Sequence, residues 1–481
     1  MSHDRHRERQ GVRSLKLYIG LSTILFYALL GTYSMFAGYT GSLQASWEAD
    51  ALAMPFWTAY MLDPLTPPTI EKRFSEWRVV GGNASYSIDA WNTSYVILRK
   101  PGSLVIVSDA LEYKYRPARS MIIYYNIKVS TKDSVRYSIT VSIVNDDVSG
   151  KRILYRGSQS YIEIGRYSIL RVEETVYGGS RIYEASIRLP YAYLNRIQEE
   201  YLPVEVNPVS DILLSQESRI RWNINISYSC VSSGCGDLEI LLGSFSIKIL
   251  GLAYGIMGTD HRGSDIWRQF IEGARVANLF GLSAAAITVA IAISIGSIAG
   301  FRAGRLSDQL LTFLTDSVFF LPAVPLIMIS TAVFGRSMPV LYGIIILVSW
   351  PGLARLTRSW AMAIRSEPYV EASVALGANR LWILRRHIIP RLAPLAGYGM
   401  VSLVPGVIST EILIQFIGFG DPNIPSWGRM LNEAFNEGAL INGAWWWLFA
   451  PIAGITSYMA GFALVGMYIE ERVNPRLAIA R

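Results

Sequence analysis

Charged side chains are scarce in this chain of 481 residues: they make up 17% of it, and the mean hydropathy is +0.29. Charged residues form about a quarter of an ordinary soluble domain, so their scarcity indicates a large membrane part. Five segments contain no Asp, Glu, Lys or Arg at all: residues 278–299, 317–334, 338–353, 392–410 and 439–469. A spanning helix needs about 20 apolar residues, so each segment is predicted to cross a bilayer.

A sixth predicted span is the apolar run at residues 17–39. It could be a cleaved signal peptide or a retained anchor. Its 23 residues exceed the apolar core of a signal peptide, which is about 7–15 residues long, so the anchor is favoured. Prolines inside the six segments are predicted to break helices at membrane depth; they are Pro322, Pro325, Pro351, Pro405 and Pro451.

Histidine is also rare, and a phosphate-binding loop is missing. The four histidines are at positions 3, 6, 261 and 387, so a metal site or a His-based triad is excluded between residues 40 and 250. No G-x-x-x-x-G-K-[ST] segment occurs, and the chain is therefore predicted not to hydrolyse ATP. The net charge of +7 does not predict a nucleic-acid partner, because much of the basic excess flanks the spans.

The basic residues are distributed unequally between the loops. Residues 1–16 carry five Lys or Arg and residues 354–391 carry seven, whereas residues 417–438 carry one arginine and three acidic residues. Basic loops stay in the cytoplasm. The tail at 1–16, the loop at 365–391 and the tail at 475–481 are therefore predicted to be cytoplasmic. Six spans in the cell membrane satisfy this topology, and residues 40–250 are then extracellular.

The predicted extracellular segment has the pattern of β-structure. Apolar residues alternate with polar ones through residues 134–143, and "MIIYYNIKV" just before is rich in β-branched and aromatic residues. The intervening "STKDS" (130–134) is predicted to be a turn. Further strand-like runs follow at short spacing, so residues 40–250 are predicted to form an all-β sandwich or barrel.

Two further features agree with an oxidising exterior. The chain has only two cysteines, Cys230 and Cys235, which are predicted to form a local disulfide, with two unpaired thiols as the alternative. The three N-x-S/T sequons also lie in this segment, and they make Asn83, Asn92 and Asn225 candidates for N-glycosylation.

The most distinctive polar stretch is "EASVALGANRLWILRRHIIP", residues 371–390. Pro368 suits the first turn of a helix, and Glu371 suits its positive end. Gly377 permits a turn, after which Asn379 can cap a second helix that is predicted to end at Pro390. The stretch is either an amphipathic linker at the membrane surface or a docking element for a cytoplasmic partner.

This stretch resembles the EAA motif of permease subunits in binding-protein-dependent ABC importers. The matching positions are Glu371, Ala372, Ser373, Gly377, Ile388, Ile389 and Pro390. The segments "GTDHRGSDIWRQFIEGAR" (258–275) and "EILIQFIGFGDPNIPSWGRML" (411–431) and the terminal "NPRL" are similar to the dipeptide/oligopeptide type, in its second (C-type) subunit. The resemblance covers about residues 255–478 and the first span, but not the β-rich segment.

The resemblance implies a permease with six transmembrane helices, helix 1 at residues 17–39 and helices 2–6 in a core at residues 255–474, and the β-domain at 40–250 is inserted between helix 1 and this core. It implies that the loop docks on an ATP-binding subunit through Glu371, Ala372, Ser373 and Gly377, up to Pro390. Arg385 and Arg386 are expected to hold the loop against the membrane face. The implied partners are a second homologous permease, two ATP-binding subunits that bind ATP and Mg, an extracytoplasmic substrate-binding protein and the bilayer. No cofactor is expected in this chain.

The 411–431 segment supplies three candidate pathway or outer-gate residues: Glu411, Gly418 and Gly420. An ionisable group near the end of a span can face an aqueous pathway or can simply be solvated. The chain departs from the family pattern at Ser373 and Ile389, which are small changes, and at Ser264, where arginine is usual.

Other functions remain to be weighed. A secondary transporter would need paired carboxylates or inverted repeats within the spans, and neither is seen. A membrane-anchored extracellular binding or adhesion module would explain the β-domain but not the cytoplasmic loop. Within the importer hypothesis, di- or oligopeptides are the favoured substrates and oligosaccharides are the alternative.

Overall fold

The computed structural model describes residues 2–36, 48–62, 66–88, 95–115, 118, 120–146, 151–154, 161–164, 166–189, 218–231 and 236–473. The chain forms two compact units: Ala45–Asp265 is one, and Met1–Gln44 together with Ile266–Arg481 is the other. Residues 255–265, which the motifs group with the permease core, belong to the first of these units.

The described helices are α1 (Ser2–Phe36), α2 (Phe56–Leu62), α3 (Ile266–Phe301), α4 (Leu306–Phe319), α5 (Ala323–Phe334), α6 (Met338–Arg365), α7 (Pro368–Ala375), α8 (Arg380–Ile383), α9 (Ile389–Arg391), α10 (Ala393–Phe416), α11 (Trp427–Asn436) and α12 (Trp445–Val473). A short π-helix, Leu384–Ile388, lies between α8 and α9. The second unit therefore consists of helices, and α2 belongs to the β-rich unit.

Five described helices are long and apolar enough to cross a membrane, namely α1, α3, α6, α10 and α12. The segment predicted as a span at 317–334 is not one straight helix, because α4 and α5 are bent by 78° at the break between them. Pro322 sits at this break, where it lacks the N–H that a continuous helix needs. The described spans number six only if this bent pair is one of them.

Several predicted span boundaries also move. Helix α6 continues twelve residues beyond the predicted end at residue 353, to Arg365. Helix α12 begins at Trp445 rather than at residue 439, because positive φ angles at Gly438 and Gly443 form turns before it. Pro351, Pro405 and Pro451 lie inside continuous helices, so the helix breaks predicted at these positions are wrong.

Helix α3 is central to the helical unit. A Cβ atom at Gly296 would lie 2.5 Å from the carbonyl oxygen of Ala354, and one at Gly300 would lie even closer to that of Arg358. The two glycines therefore let the backbones of α3 and α6 approach closely, as small residues do in membrane helix pairs.

Helix α1 is fixed by hydrogen bonds to α3 and α12, the latter between the Tyr27 and Ser457 hydroxyls at 2.6 Å. Asn278 donates to the carbonyl oxygen of Tyr27 at 2.8 Å and accepts from the Tyr458 hydroxyl at 2.7 Å. Tyr27 packs edge-on against Trp427 and Tyr458, with ring centroids 5.5 and 5.2 Å away. Whether α1 is a retained anchor stays a prediction.

The β-rich unit contains the following described strands: β1 (Ile70–Phe74), β2 (Trp77–Gly82), β3 (Tyr86–Ile88), β4 (Tyr95–Leu98), β5 (Gly102–Ser108), β6 (Leu111–Tyr113), β7 (Ser120–Asn145), β8 (Lys151–Leu154), β9 (Tyr161–Ile164), β10 (Arg166–Leu189), β11 (Ser218–Cys230) and β12 (Leu238–Leu250). Strands β8 and β9 form a separate pair, and the other ten form one sheet.

Strand β7 organises this sheet. One of its edges pairs with β10, and the other edge pairs with β12 along the first half of β7 and with β11 along the second half. The predicted turn at 130–134 is therefore wrong: the polar "STKDS" lies inside one strand, where β7 changes partner. The register between β7 and β10 shifts at the same place, between Tyr177 and Gly179 of β10, as it does at a β-bulge. Such a bulge increases the local twist of a strand pair.

The core of the β-rich unit is lined by the alternating apolar residues of its long strands. Trp77 of β2 and Trp222 of β11 both pack edge-on against Phe245 of β12, with ring centroids 4.8 and 5.0 Å apart. Strands from distant parts of the sheet therefore meet around one core. The sheet is a nearly closed barrel, one of the two all-β forms that the sequence pattern predicts.

Candidate functional site

The loop between α6 and α10 begins with the short helix α7. Pro368 occupies the first turn of α7, as predicted. The helix ends in a turn closed by two backbone hydrogen bonds, from Gly377 to Val374 at 3.0 Å and from Ala378 to Ser373 at 3.1 Å. Gly377 has a φ of +78°, and no atom lies within 4 Å of the position that a Cβ atom would take there. Its role in the fold is therefore the left-handed backbone of a helix C-terminus.

The second half of the loop differs from the prediction at its end. Asn379 caps α8 as predicted, since its side-chain oxygen accepts from Leu381 N at 2.9 Å. The predicted helix end at Pro390 is wrong, because the chain stays helical through the π-helix and α9 and then enters α10. The π-helix widens the turn just before Pro390, where an α-helix would lose a hydrogen bond and clash with the proline ring.

This second half is anchored in the core of the helical unit. Ile383, Ile388 and Leu392 are completely buried, and Leu384 nearly so. Leu384, Ile388 and Leu392 belong to one apolar cluster with residues of α3 and α6, including Trp350. The loop is therefore fixed to the spans by packing rather than tethered to them flexibly.

The tip of the loop, by contrast, is exposed and partly apolar. Leu376 is 88% exposed, and Val374, Leu381 and Trp382 are each at least half exposed. We call these four residues the tip patch. The sequence interpretation missed it and emphasised only the small residues Ala372 and Ser373. The available signal was that two short helices cannot bury all of the apolar residues in this stretch.

Aromatic contacts join the two halves of the loop. The His387 ring lies 5.1 Å from the Trp382 ring and 5.5 Å from the Tyr369 ring. The Arg391 guanidinium lies 5.1 Å from the centre of the Tyr369 ring, within cation–π distance. Arg385 and Arg386 are exposed. These contacts make the loop a compact knob.

A cavity of about 420 Å³ lies behind α7, between this helix and the ends of α3 and α6. It is lined by Ala303, Met362, Arg365, Ser366, Glu371, Val374 and Ala375. Arg365 donates to the Ala303 carbonyl oxygen at 3.1 Å, which holds its side chain across the base of the loop. Glu371 thus faces a recess that joins the loop to the spans.

The second candidate site surrounds Glu411, near the end of α10. Glu411 is only 3% exposed, so it is not solvated within this chain. The side chains of Ser426 and Gln415 lie beside its carboxyl group. Among the described residues, Glu411 Oε1 and Gln415 Nε2 have no hydrogen-bond partner. A buried polar group without a partner is costly, so this cluster is a candidate functional position.

The two glycines predicted beside Glu411 have local structural roles. Gly418 has a φ of +84° and ends α10, where Phe419 N donates to Ile414 O at 3.0 Å. A Cβ atom at Gly420 would clash with the side-chain amide of Gln415. Both glycines therefore let the segment after α10 fold back onto the helix end, next to Glu411.

The helical unit matches a family of known transport proteins. Residues 292–479 match the model of the "Binding-protein-dependent transport system inner membrane component" family. The chain is also 31% identical, over 229 residues, to the di/tripeptide transport system permease protein DppC of Pseudomonas aeruginosa (strain UCBPP-PA14), a match that covers 47% of this chain and 74% of the relative. The chain belongs to this permease family.

Other relatives agree with this assignment. The permease is 28% identical over 221 residues to the dipeptide transport system permease protein DppC of Bacillus subtilis (strain 168), covering 46% of this chain and 68% of the relative. The predicted resemblance to the dipeptide/oligopeptide type is thereby confirmed. Among solved structures, a chain of the MetNI methionine ABC transporter matches with 13% identity and a TM-score of 0.32, covering 42% of this chain and 96% of that chain.

The remaining predicted sites lie in the β-rich unit of the permease. Cys230 ends β11, whereas Cys235 lies outside the described residues, so the disulfide stays a prediction. Asn83 and Asn225 are exposed, and Asn92 lies outside the described residues. Asn83 Oδ1 accepts from Ser103 N at 2.8 Å, which occupies part of its side chain in the fold. Glycosylation at these positions also stays a prediction.

Proposed function

We propose that this permease forms half of the translocation pathway of an ATP-driven importer and is coupled to separate ATP-binding subunits through the loop at residues 365–391. The observation that carries the proposal is the contrast within the loop. Its tip patch is exposed, whereas Ile388 and Leu392 are buried among the spans. A docking element needs both properties, because it must contact a partner and transmit force to the helices.

The proposed mechanism follows from this anchoring. Closure of two ATP-binding subunits around ATP would push the knob as a rigid body. Because Ile388 and Leu392 pack in the same cluster as residues of α3 and α6, the displacement would reach these helices directly. The spans would then shift between inward-facing and outward-facing arrangements, which are two states biased by nucleotide.

The proposed partners follow from the family. A second permease would complete the pathway, two separate subunits would bind ATP and Mg, and an extracytoplasmic protein would deliver the substrate. The charge distribution between loops supports cytoplasmic termini and an extracellular segment at residues 40–250. The relatives named for dipeptide and di/tripeptide transport support peptides as the substrates, with oligosaccharides as the alternative.

We further propose that the β-rich unit binds or shields the substrate-binding protein. Its own hydrophobic core supports a self-contained folded unit that could present such a surface. The Glu411 cluster is proposed as part of the outer end of the pathway, because its buried carboxyl oxygen lacks a partner among the described residues.

The decisive test of coupling is Leu376→Glu in the reconstituted complex. A charge at the centre of an apolar docking contact is costly to bury, so we expect uptake to fall by about tenfold or more. ATPase activity would no longer respond to the substrate-loaded binding protein. Uptake and ATPase activity are measured in proteoliposomes that contain all of the co-purified subunits.

The matched control for this test is Ile441→Glu. Ile441 is 92% exposed in the turn before α12, at a different loop of the helical unit. The Ile441→Glu variant should leave coupling unchanged, because it adds the same charge outside the tip patch. Normal coupled uptake in Leu376→Glu, or equal losses in both variants, would contradict the proposed role of the loop.

A further inference from the structure

Helix α4 has its polar face inside the protein. Asp308 and Thr315 are buried, and the Asp308 carboxylate accepts two hydrogen bonds from the Arg358 guanidinium, at 2.7 and 2.8 Å. Next to Thr315 along the chain, Asp316 accepts from Arg355 at 2.9 Å. The helix is thus held to α6 by two ion pairs rather than by an apolar face.

The outward face of α4 is apolar instead. Leu306, Leu310, Phe313 and Leu314 lie on one side of the helix at spacings of four, three and one residues, and all are exposed; Phe313 is 73% exposed. This arrangement is the inverse of a water-facing helix. It fits an apolar medium outside the protein.

Two arginines directly precede this apolar face along the chain. Arg302 and Arg305 are not buried, and neither has a carboxylate within salt-bridge distance among the described residues. Arg355 and Arg358, on the opposite side of the helix, are both paired with aspartates. The first two arginines are brought together by a tight turn in which Gly304 has a φ of +83° and Arg305 N donates to Arg302 O at 3.0 Å.

We propose that Arg302, Arg305 and the outward face of α4 form a binding site for an anionic phospholipid. The two guanidiniums would hold the negatively charged headgroup, and the acyl chains would lie against Leu310 and Phe313. An amphiphile of this kind matches both parts of the surface, because basic residues at the end of a span attract anionic headgroups and an apolar helix face lies among acyl chains. The nearby carboxylate of Asp308 faces the other side and is already paired with Arg358. The proposal does not depend on the transported substrate.

The first test uses the full chain with its co-purified subunits, in bilayers made of equal parts of phosphatidylglycerol and phosphatidylcholine. Native mass spectrometry then measures the ratio of the two lipids that stay bound. Each basic side chain near an anionic surface contributes about fivefold to binding, so the double variant Arg302→Gln/Arg305→Gln should lower this ratio by about thirtyfold. The variant Arg302→Lys/Arg305→Lys should retain most of the preference.

The matched control is Arg336→Gln, which removes an exposed arginine at the turn between α5 and α6. It should leave the lipid ratio unchanged. An unchanged ratio in the double glutamine variant, or an equal fall in Arg336→Gln, would overturn the proposed headgroup site.

The second test leaves the arginines intact and identifies what covers α4. A photoreactive p-benzoylphenylalanine at position 313 should cross-link to phospholipid on illumination, because the side chain there points away from the protein. The mass of the adduct distinguishes a lipid from a polypeptide. An adduct with the second permease or another protein chain would overturn the proposed acyl-chain contact.

Discussion

At the scale of single residues, two glycines set the separation of α3 and α6. Gly296 and Gly300 each face a backbone carbonyl of α6 at a distance that no Cβ atom could occupy. Neither position can relax by rotation of a neighbouring side chain, since backbone atoms are in the way. The packing of these two spans therefore depends on the absence of side chains at two positions.

We predict that Gly300→Val destabilises the permease. Overpacking a tight contact costs about 1–3 kcal/mol, so the midpoint of thermal unfolding in detergent should fall clearly. The control is Gly343→Val in α6, where no atom lies within 4 Å of the Cβ position. A similar loss of stability in both variants would mean that helix propensity, rather than the close approach, controls the effect.

Residue roles set by the local backbone could be predicted, whereas exposure could not. Gly377 and Asn379 follow rules that involve only a few neighbouring residues, and both occupy the predicted turn and cap positions. Leu376 and Ile388 are both aliphatic residues of the same loop, yet one is exposed and the other buried. Only the placement of the loop against α3 and α6 decides which of the two residues is buried.

At the scale of elements, hydrophobic runs located the apolar helices but not their exact bounds. Pro322 in the run at 317–334 marked the break between α4 and α5, but the charge-free criterion missed the start of α4 at Leu306, because Asp308 and Asp316 precede the run. The polar "STKDS" has the composition of a turn. Polar residues also occur where a strand changes partner, as β7 does here between β12 and β11. Both errors arise because tertiary contacts override a local pattern.

We predict that Ile388→Ala weakens transmission from the loop to the spans without abolishing docking. Removing a fully buried isoleucine side chain leaves a cavity that costs about 2–5 kcal/mol, and the knob should then move partly independently of α3 and α6. Co-purification of the ATP-binding subunits should persist, while uptake per ATP hydrolysed falls.

The neighbouring variant Ile389→Ala is the control for this prediction, because Ile389 is 37% exposed and lies outside the buried cluster. It should keep nearly normal uptake per ATP. Loss of the ATP-binding subunits from the Ile388→Ala complex would instead assign Ile388 to docking, and equal effects of both variants would refute transmission through the buried cluster.

At the scale of the whole molecule, the family motifs account for the helical unit but not for the β-rich unit. The matched family region begins at residue 292, after the β-rich unit ends. The alternation of residues predicted an all-β fold there, while the order of its strands could not be read from the sequence. Partner choice between distant strands depends on contacts such as Trp77 with Phe245.

We predict that replacing residues 45–265 by a flexible linker lowers uptake and weakens association with the substrate-binding protein. These bounds follow the folded unit, because Gly251, Leu252 and Asp260 hydrogen-bond to residues 50–54. The ATP-binding subunits should still co-purify, since the loop at 365–391 is intact. Unchanged uptake and unchanged association with the binding protein would refute a role for the β-rich unit in docking.

The π-helix at Leu384–Ile388 also fixes the direction in which the tip patch faces. A π-turn holds one more residue than an α-turn, and each residue of an α-helix advances about 100° around the axis. Loss of a single residue there could leave the chain helical into α10. Trp382 and its neighbours would then face a different direction relative to α10. Insertions and deletions in this short segment would therefore rotate the contact surface about the helix axis without altering any residue on that surface.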